Sequence, residues 1–338
     1  YHQLGTVAQL RGDYAQAEER YRASLTTFEE LGDRAGIAIS YHQLGIIAEL
    51  RGDYQQAEER YRASLTIEEE LGDRSGIARS YHQLGTVAQL RGDYAQAEER
   101  YRASLTTFEE LGDRSGIARS YHQLGMIAQE RGDYGQAEER YRASLTIKEE
   151  LGDRAGIARS YGQLGIIAQE RGDYAQAEER YRASLTIKEE LGDRSGIAIS
   201  YHQLGIIAEL RGDYQQAEER YRASLTIKEE LGYRAGIATS YAQLGVLRTK
   251  QQRPADGVPY TVRALALELE IGSPPGTTLY WLGQQRALLG DDAFRSVLDE
   301  LLPDEAAASI MNATQPQEEP PSHEGEVGRS DPASTDQA

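Results

Sequence analysis

The chain of 338 residues carries 37 Lys and Arg against 55 Asp and Glu, a formal net charge of −18, and holds 22 Tyr and 34 Gly beside 3 Phe, 2 Met, 1 Trp and no Cys. Without cysteine, a disulfide scaffold, a thiolate zinc site and a cysteine nucleophile are excluded. A net acidic chain repels the phosphate backbone, so nucleic-acid binding is not expected, and the Tyr and Gly excess points to one unit copied many times.

Self-similarity bears this out: Tyr1, Tyr41, Tyr81, Tyr121, Tyr161, Tyr201 and Tyr241 each open a block of 40 residues, and the first six blocks, 1–240, are nearly identical. Each block reads as two helices. Helix A is predicted to start at the N-cap Asp73, to bury Ile77, Tyr81, Leu84, Val87 and Ala88, and to stop at Gly92. Helix B follows from Asp93, with Tyr94, Ala97, Tyr101 and Leu105 on its stripe, and closes at Gly112 in the left-handed cap position. Gly85 lies inside helix A, where glycine costs about 1 kcal/mol relative to alanine, so close approach of a neighbouring helix is expected there. One block buries too little apolar surface to offset the entropy of ordering itself, and stacking on neighbours must supply the rest. The expected fold is all-α, a right-handed superhelical solenoid of antiparallel helix pairs.

Residues 241–302 read as a degenerate seventh copy, with Pro254, Gly257 and Pro259, followed by a half copy that caps the array with Trp281 and Phe294. Residues 303–338 hold eight acidic residues against Arg329 and are rich in Pro, Glu, Ser and Gly. Beyond a short helix up to Met311, this tail is expected to be disordered. A tethered role is one option for it, with Glu318 to Glu326 folding back on the array as a competitor. The first block begins partway through helix A, without the turn that precedes every other opening Tyr, so the parent protein is expected to continue upstream. No apolar run approaches the roughly 20 residues that cross a bilayer, and a cytoplasmic location is expected.

The second block carries Tyr41, Leu44-Gly45, Gly52, Tyr54, Ala57 and Tyr61 at the spacing of the tetratricopeptide repeat, and the chain resembles that family over residues 1 to about 302. The 40-residue period and the LGDRxGIAxSYxxLG junction are similar to its longer-helix subclass, which includes the Pins/LGN polarity adaptors and arrays attached to bacterial signalling proteins. Two departures stand out. The Pro that often closes helix B is absent, with Glu69 near its place. Members that clamp carboxylates place Asn and Lys on the inner face of helix A, where this chain has Gln43 and Ile46, so a carboxylate clamp is not implied.

The copies differ from one another mainly on one face of helix A, the face that the resemblance implies will line a concave groove. Arg79, Arg119 and Arg159 precede the opening Tyr, His82 and His122 follow it, and Met126, Ile166 and Ile206 lie one turn on. Two readings share this stripe: residues that contact a partner, or drift where packing permits it. The His ladder is expected to be solvated rather than metal-binding, because one imidazole per repeat does not converge on an ion. No nucleophile accompanies it at a distinctive spacing, so neither enzyme activity nor a cofactor is expected. The helix-B position occupied by Phe28, Glu68, Phe108, Lys148, Lys188 and Lys228 reads as exposed. The expected function is a monomeric protein-interaction scaffold whose groove binds an extended peptide or partner helix with acidic and apolar groups. The alternative is a ligand-sensing segment of a larger signalling protein.

Overall fold

The computed structural model describes residues 1–315; the stretch Glu318 to Glu326 lies outside the described residues. The described residues form helices and no strand, with successive helices in antiparallel pairs. They divide into two compact units, Tyr1–Leu231 and one that starts at Gly232.

The first unit contains α1 (His2–Leu10), α2 (Tyr14–Leu31), α3 (Arg34–Leu50), α4 (Tyr54–Leu71), α5 (Arg74–Leu90) and α6 (Tyr94–Leu111). It continues through α7 (Arg114–Glu130), α8 (Tyr134–Leu151), α9 (Arg154–Glu170), α10 (Tyr174–Leu191), α11 (Arg194–Leu210) and α12 (Tyr214–Glu230). Odd-numbered helices are helix A and even-numbered ones helix B. Within the unit each helix packs on those next to it in the chain, so contacts are local and the core is a series of small clusters.

Local sequence explains the boundaries. At α5 the Asp73 carboxylate accepts the Gly76 N–H at 3.0 Å, and at α6 the Asp93 carboxylate accepts the Gln96 N–H at 3.0 Å, each satisfying an amide that the first turn leaves without a partner. Helix α6 stops at Gly112, whose φ of 67° is left-handed and favours a residue without Cβ.

The helix-B tyrosine centres each pair. Tyr61, Tyr101, Tyr141 and Tyr221 are fully buried, and a Cβ placed on Gly85 would lie 2.8 Å from the ring of Tyr101, so the interior glycine is the space the ring occupies. The hydroxyl of Tyr101 donates to Gln89 at 3.0 Å, and that of Tyr61 donates to Glu49 at 2.9 Å. The Gln/Glu variation on helix A therefore has an internal cause: a buried phenol needs an acceptor oxygen, and either side chain supplies one. A second tie joins the same helices, from Ser104 Oγ to the Ala78 carbonyl at 2.8 Å and from Ser144 Oγ to that of Ala118 at 2.8 Å.

The second unit contains α13 (Arg234–Lys250), α14 (Pro254–Glu270), α15 (Gly276–Leu289), α16 (Asp291–Leu301) and α17 (Asp304–Ala313). Here Thr261 holds the place of the helix-B tyrosine, and the smaller residue lets Gln285 enter from α15. Its amide donates to Thr261 Oγ1 at 2.9 Å and to Thr249 Oγ1 at 3.0 Å. Leu282, Phe294 and Leu298 form the apolar centre, which α17 joins through Ala307 and Ile310. Trp281 is half-buried beside Tyr280.

Candidate functional site

The variable face of helix A recurs once per 40 residues, and the fold brings its residues together across neighbouring repeats. Arg79 acts electrostatically on His42, Arg119 on His82 and Arg159 on His122, so each guanidinium lies near enough to the imidazole of the preceding repeat to disfavour its charged form. His82, Arg119, His122 and Arg159 line one recess of about 220 Å³ together with Gln123, Lys148 and Asp153. His122, Arg159 and Ile166 line an adjoining recess of about 200 Å³ with Gly162, Tyr181 and Lys188. Arg79, Met126 and Ile206 line neither recess. Arg79 is exposed with its guanidinium 4.0 Å from Asp73, Met126 packs on the core beneath, and Ile206 is half-buried.

The histidines are not the solvated ladder that sequence predicts. His82 and His122 are half-buried, tilted against Tyr101 and Tyr141 with ring centroids 5.3 and 5.4 Å apart, and their Nδ1 atoms are buried without a hydrogen-bond partner. Burial first, and the neighbouring cations second, push the imidazoles of His42, His82, His122 and His202 down to about 4. The rings are neutral packing groups that roof the helix-B tyrosine; positive charge on this face comes from Arg and Lys.

A second correction concerns helix B. Phe108, Glu68, Lys148 and Lys228 are between 2% and 6% exposed, and Phe28 and Lys188 are half-buried, so this position is internal rather than on the outer face. It lies seven residues beyond the buried tyrosine and four beyond the buried serine, on the same stripe. The side chain reaches the serine of the next helix A: Glu68 accepts from Ser80 Oγ at 2.7 Å, and the amines of Lys148 and Lys188 donate to Ser160 and Ser200 at 3.0 Å each. Facing Phe108, the Ser120 hydroxyl has no such partner. Sequence reasoning missed Lys148 and Lys188 as site residues, although the two-turn spacing from Tyr141 and Tyr181 carried the signal.

These amines are held at a cost. Burial, then the Arg159 cation, lower Lys148 to about 8, against an opposing pull from Asp153, and burial lowers Lys188 and Lys228. Because Phe28 and Phe108 fill the same position, the double variant K148F/K188F has a seat ready for its rings. It is expected to be more stable than the parent by about 1–4 kcal/mol at pH 7, as apolar replacements of buried charges often are. The Lys148 contribution to this gain shrinks as pH rises from about 8 towards the unfolded value, where the unfolded chain holds the proton that the folded chain has released. Urea unfolding at pH 7 and pH 10 checks both; a loss of stability at pH 7 would show that the amines stabilise the empty array.

Elsewhere the array neutralises its cations. Arg91 pairs with Glu58 at 2.6 Å and Arg131 with Glu98 at 2.6 Å, while Arg114 pairs with Glu150 and Arg154 with Glu190. Arg119 and Arg159 form no ion pair among the described residues; the Arg119 guanidinium lies over the Phe108 ring at 5.8 Å. Asp153, the one carboxylate among the described residues lining either recess, is engaged as an N-cap, accepting the Gly156 N–H at 2.8 Å. Among the described residues no cluster of three or more His, Asp or Glu could hold a metal ion, and no helix is long and apolar enough to cross a membrane.

The chain is similar in fold to several solved structures. BtubC (BKLC) from P. vanneervenii shares 22% identity, with 65% of this chain and 92% of that one aligned at a TM-score of 0.60. The apo form of RapI shares 15% identity over 82% of this chain and 94% of its own, at a TM-score of 0.62. A Pyrococcus horikoshii signal transduction ATPase with numerous domains, described as having a tetratricopeptide repeat sensor, shares 16% identity; 89% of this chain aligns with 43% of that protein, at a TM-score of 0.64. No curated protein matches the sequence. The model of the tetratricopeptide repeat family matches residues 1–70, 76–150, 116–190, 156–230 and 196–267. With matches spanning most of the chain and the tyrosine-over-glycine helix pairs seen in the fold, the protein belongs to the tetratricopeptide repeat family.

Proposed function

We propose that the chain is a protein-interaction scaffold and that the helix-A face of repeats three to six binds an acidic peptide segment, extended or helical. The observation that carries this reading is a set of cations that form no ion pair among the described residues in a chain of net charge −18, with Asp153 and Asp193 the carboxylates that act on its lysines. Arg119, Lys148, Arg159 and Lys188 line two adjoining recesses, and none of them forms an ion pair among the described residues. A folded array gains nothing by burying lysine beside arginine, so an external anion is the partner that completes the charge balance. Ile166 and the exposed Ile199 add apolar contact at the rim. Met126 and Ile206 extend the apolar row along helix A, while Arg79 continues the basic row towards repeat two.

The test is the triple variant R79A/R119A/R159A, probed by fluorescence anisotropy with a labelled peptide of alternating Glu and Leu. Affinity is expected to fall at least tenfold, and the slope of log Kd against log salt to flatten, because fewer counter-ions are exchanged on binding. Unchanged affinity at every salt concentration would remove the groove assignment. The second reading, a ligand-sensing segment, is favoured by the alignment with a protein described as having a tetratricopeptide repeat sensor. A saturable heat signal from a small molecule, with no peptide bound, would support it instead.

A further inference from the structure

Gly162 breaks the histidine ladder. In the first six repeats this position otherwise holds His2, His42, His82, His122 and His202, and each imidazole tilts against the helix-B tyrosine of its own pair with ring centroids 5.3 to 5.6 Å apart. In the fifth repeat that place over Tyr181 is vacant.

The glycine is not required by packing. A Cβ at Gly165, one turn on, would lie 2.6 Å from the Tyr181 ring, whereas a Cβ at Gly162 meets nothing nearer than Ser184 Oγ at 3.9 Å. Gly162 therefore weakens α9 with no close approach to repay it. Its effect is to open a recess that reaches Tyr181, which is 2% exposed where Tyr61, Tyr101, Tyr141 and Tyr221 are at 0%. The recess at Gly162 is lined by the Tyr181 ring itself, while the recess one repeat earlier, roofed by His122, does not reach Tyr141. Ile166, Ile199, Arg159 and Lys188 line the same recess.

We propose that the Gly162 recess is the specificity pocket of the groove. It takes one aromatic side chain of a bound peptide in the place of the missing imidazole, and an acidic residue beside that ring is held by Arg159 and Lys188. The inference rests on the peptide-binding reading above and deepens it. The five self-filled sites show that this cradle accepts a planar ring over the tyrosine, and only here must the ring come from outside. The two cations favour a ring with a carboxylate alongside it over a neutral or basic one.

The test is selection of peptides from a displayed random library on the full chain and on its G162H variant. G162H restores the residue of the neighbouring repeats, so it is expected to fold, with a thermal midpoint no lower than the parent's. Peptides selected on the parent should share an aromatic residue next to Asp or Glu, and should lose at least tenfold in affinity on G162H. Those selected on G162H should keep the acidic preference without the aromatic one. An equal aromatic preference on both proteins, or none on either, would overturn the pocket while leaving the acidic groove in place. Selection of no peptide by either protein would overturn the groove and the pocket together. If free indole-3-acetate alone bound the parent and not G162H, the recess would belong to a small aromatic acid, and the peptide assignment would be wrong.

Discussion

Truncating Tyr141 to alanine is expected to destabilise the array by about 3–5 kcal/mol, the range for removing a large aromatic side chain from a core. Tyr141 is fully buried in its helix pair, its ring occupies the gap left by Gly125, its hydroxyl donates to Gln129 at 2.9 Å, and His122 covers it at 5.4 Å. The alanine leaves a cavity, an acceptor without its donor and an imidazole without its platform. Y141F keeps the ring and removes only the hydroxyl, and should cost about 0.5–1.5 kcal/mol. Because each repeat contacts only its neighbours, hydrogen exchange should report the loss chiefly in α7 to α9. Urea unfolding measures both variants. A loss below about 1 kcal/mol for Y141A would show that the tyrosine is not the keystone of its pair.

The second large effect is acid sensitivity. For His42, His82, His122 and His202 the folded value, about 4, lies below the ordinary one near 6.5. Between these limits the unfolded chain binds more protons than the folded one, so stability falls as pH drops from about 6.5 to 4. The burial-raised carboxyls of Glu49 and Glu68 act in the opposite sense, taking up protons more readily when folded. Four histidines outnumber them, and the net expectation is a steep decline in thermal midpoint across this window. A variant with glutamine at the four positions should show a visibly shallower decline. Parallel curves for the two proteins would show that the imidazoles are not the source.

The same burial bears on binding. The positive charge of the face resides on Arg119 and Arg159 and on lysines whose burial resists protonation. An anion that approached Lys148 would favour its charged form, so binding there should draw a proton from solution near pH 8.

Much of the architecture was legible in the chain because its determinants are local. Asp73 and Gly112 mark helix ends through one hydrogen bond and one backbone angle, which depend on residues three or four positions away. Gly85 announces a close approach because glycine weakens a helix interior and recurs at this place in every repeat, facing the helix-B residue of its pair. Reading the stripe of helix B was harder. Lys148 and Lys188 look like surface residues by type, and their charge outweighed the heptad spacing from the tyrosine that places them inside. The histidines misled in the same way, since a polar ring on a variable face suggests water where the fold supplies a tyrosine.

By itself, the sequence determined the period, the helix pairs with their caps and the family, all of which follow from residues within one 40-residue unit. Only the tertiary structure decided which charges are left over. Ion pairing, as between Arg91 and Glu58 or Arg114 and Glu150, joins residues 33 and 36 positions apart in the chain, and each Arg acts on the His 37 positions before it. Whether Arg159 is neutralised or waiting for a partner, and whether Gly162 is a drifted residue or an opening onto Tyr181, depends on how one repeat lies against the next. That relation arises from packing between units, which no single unit encodes.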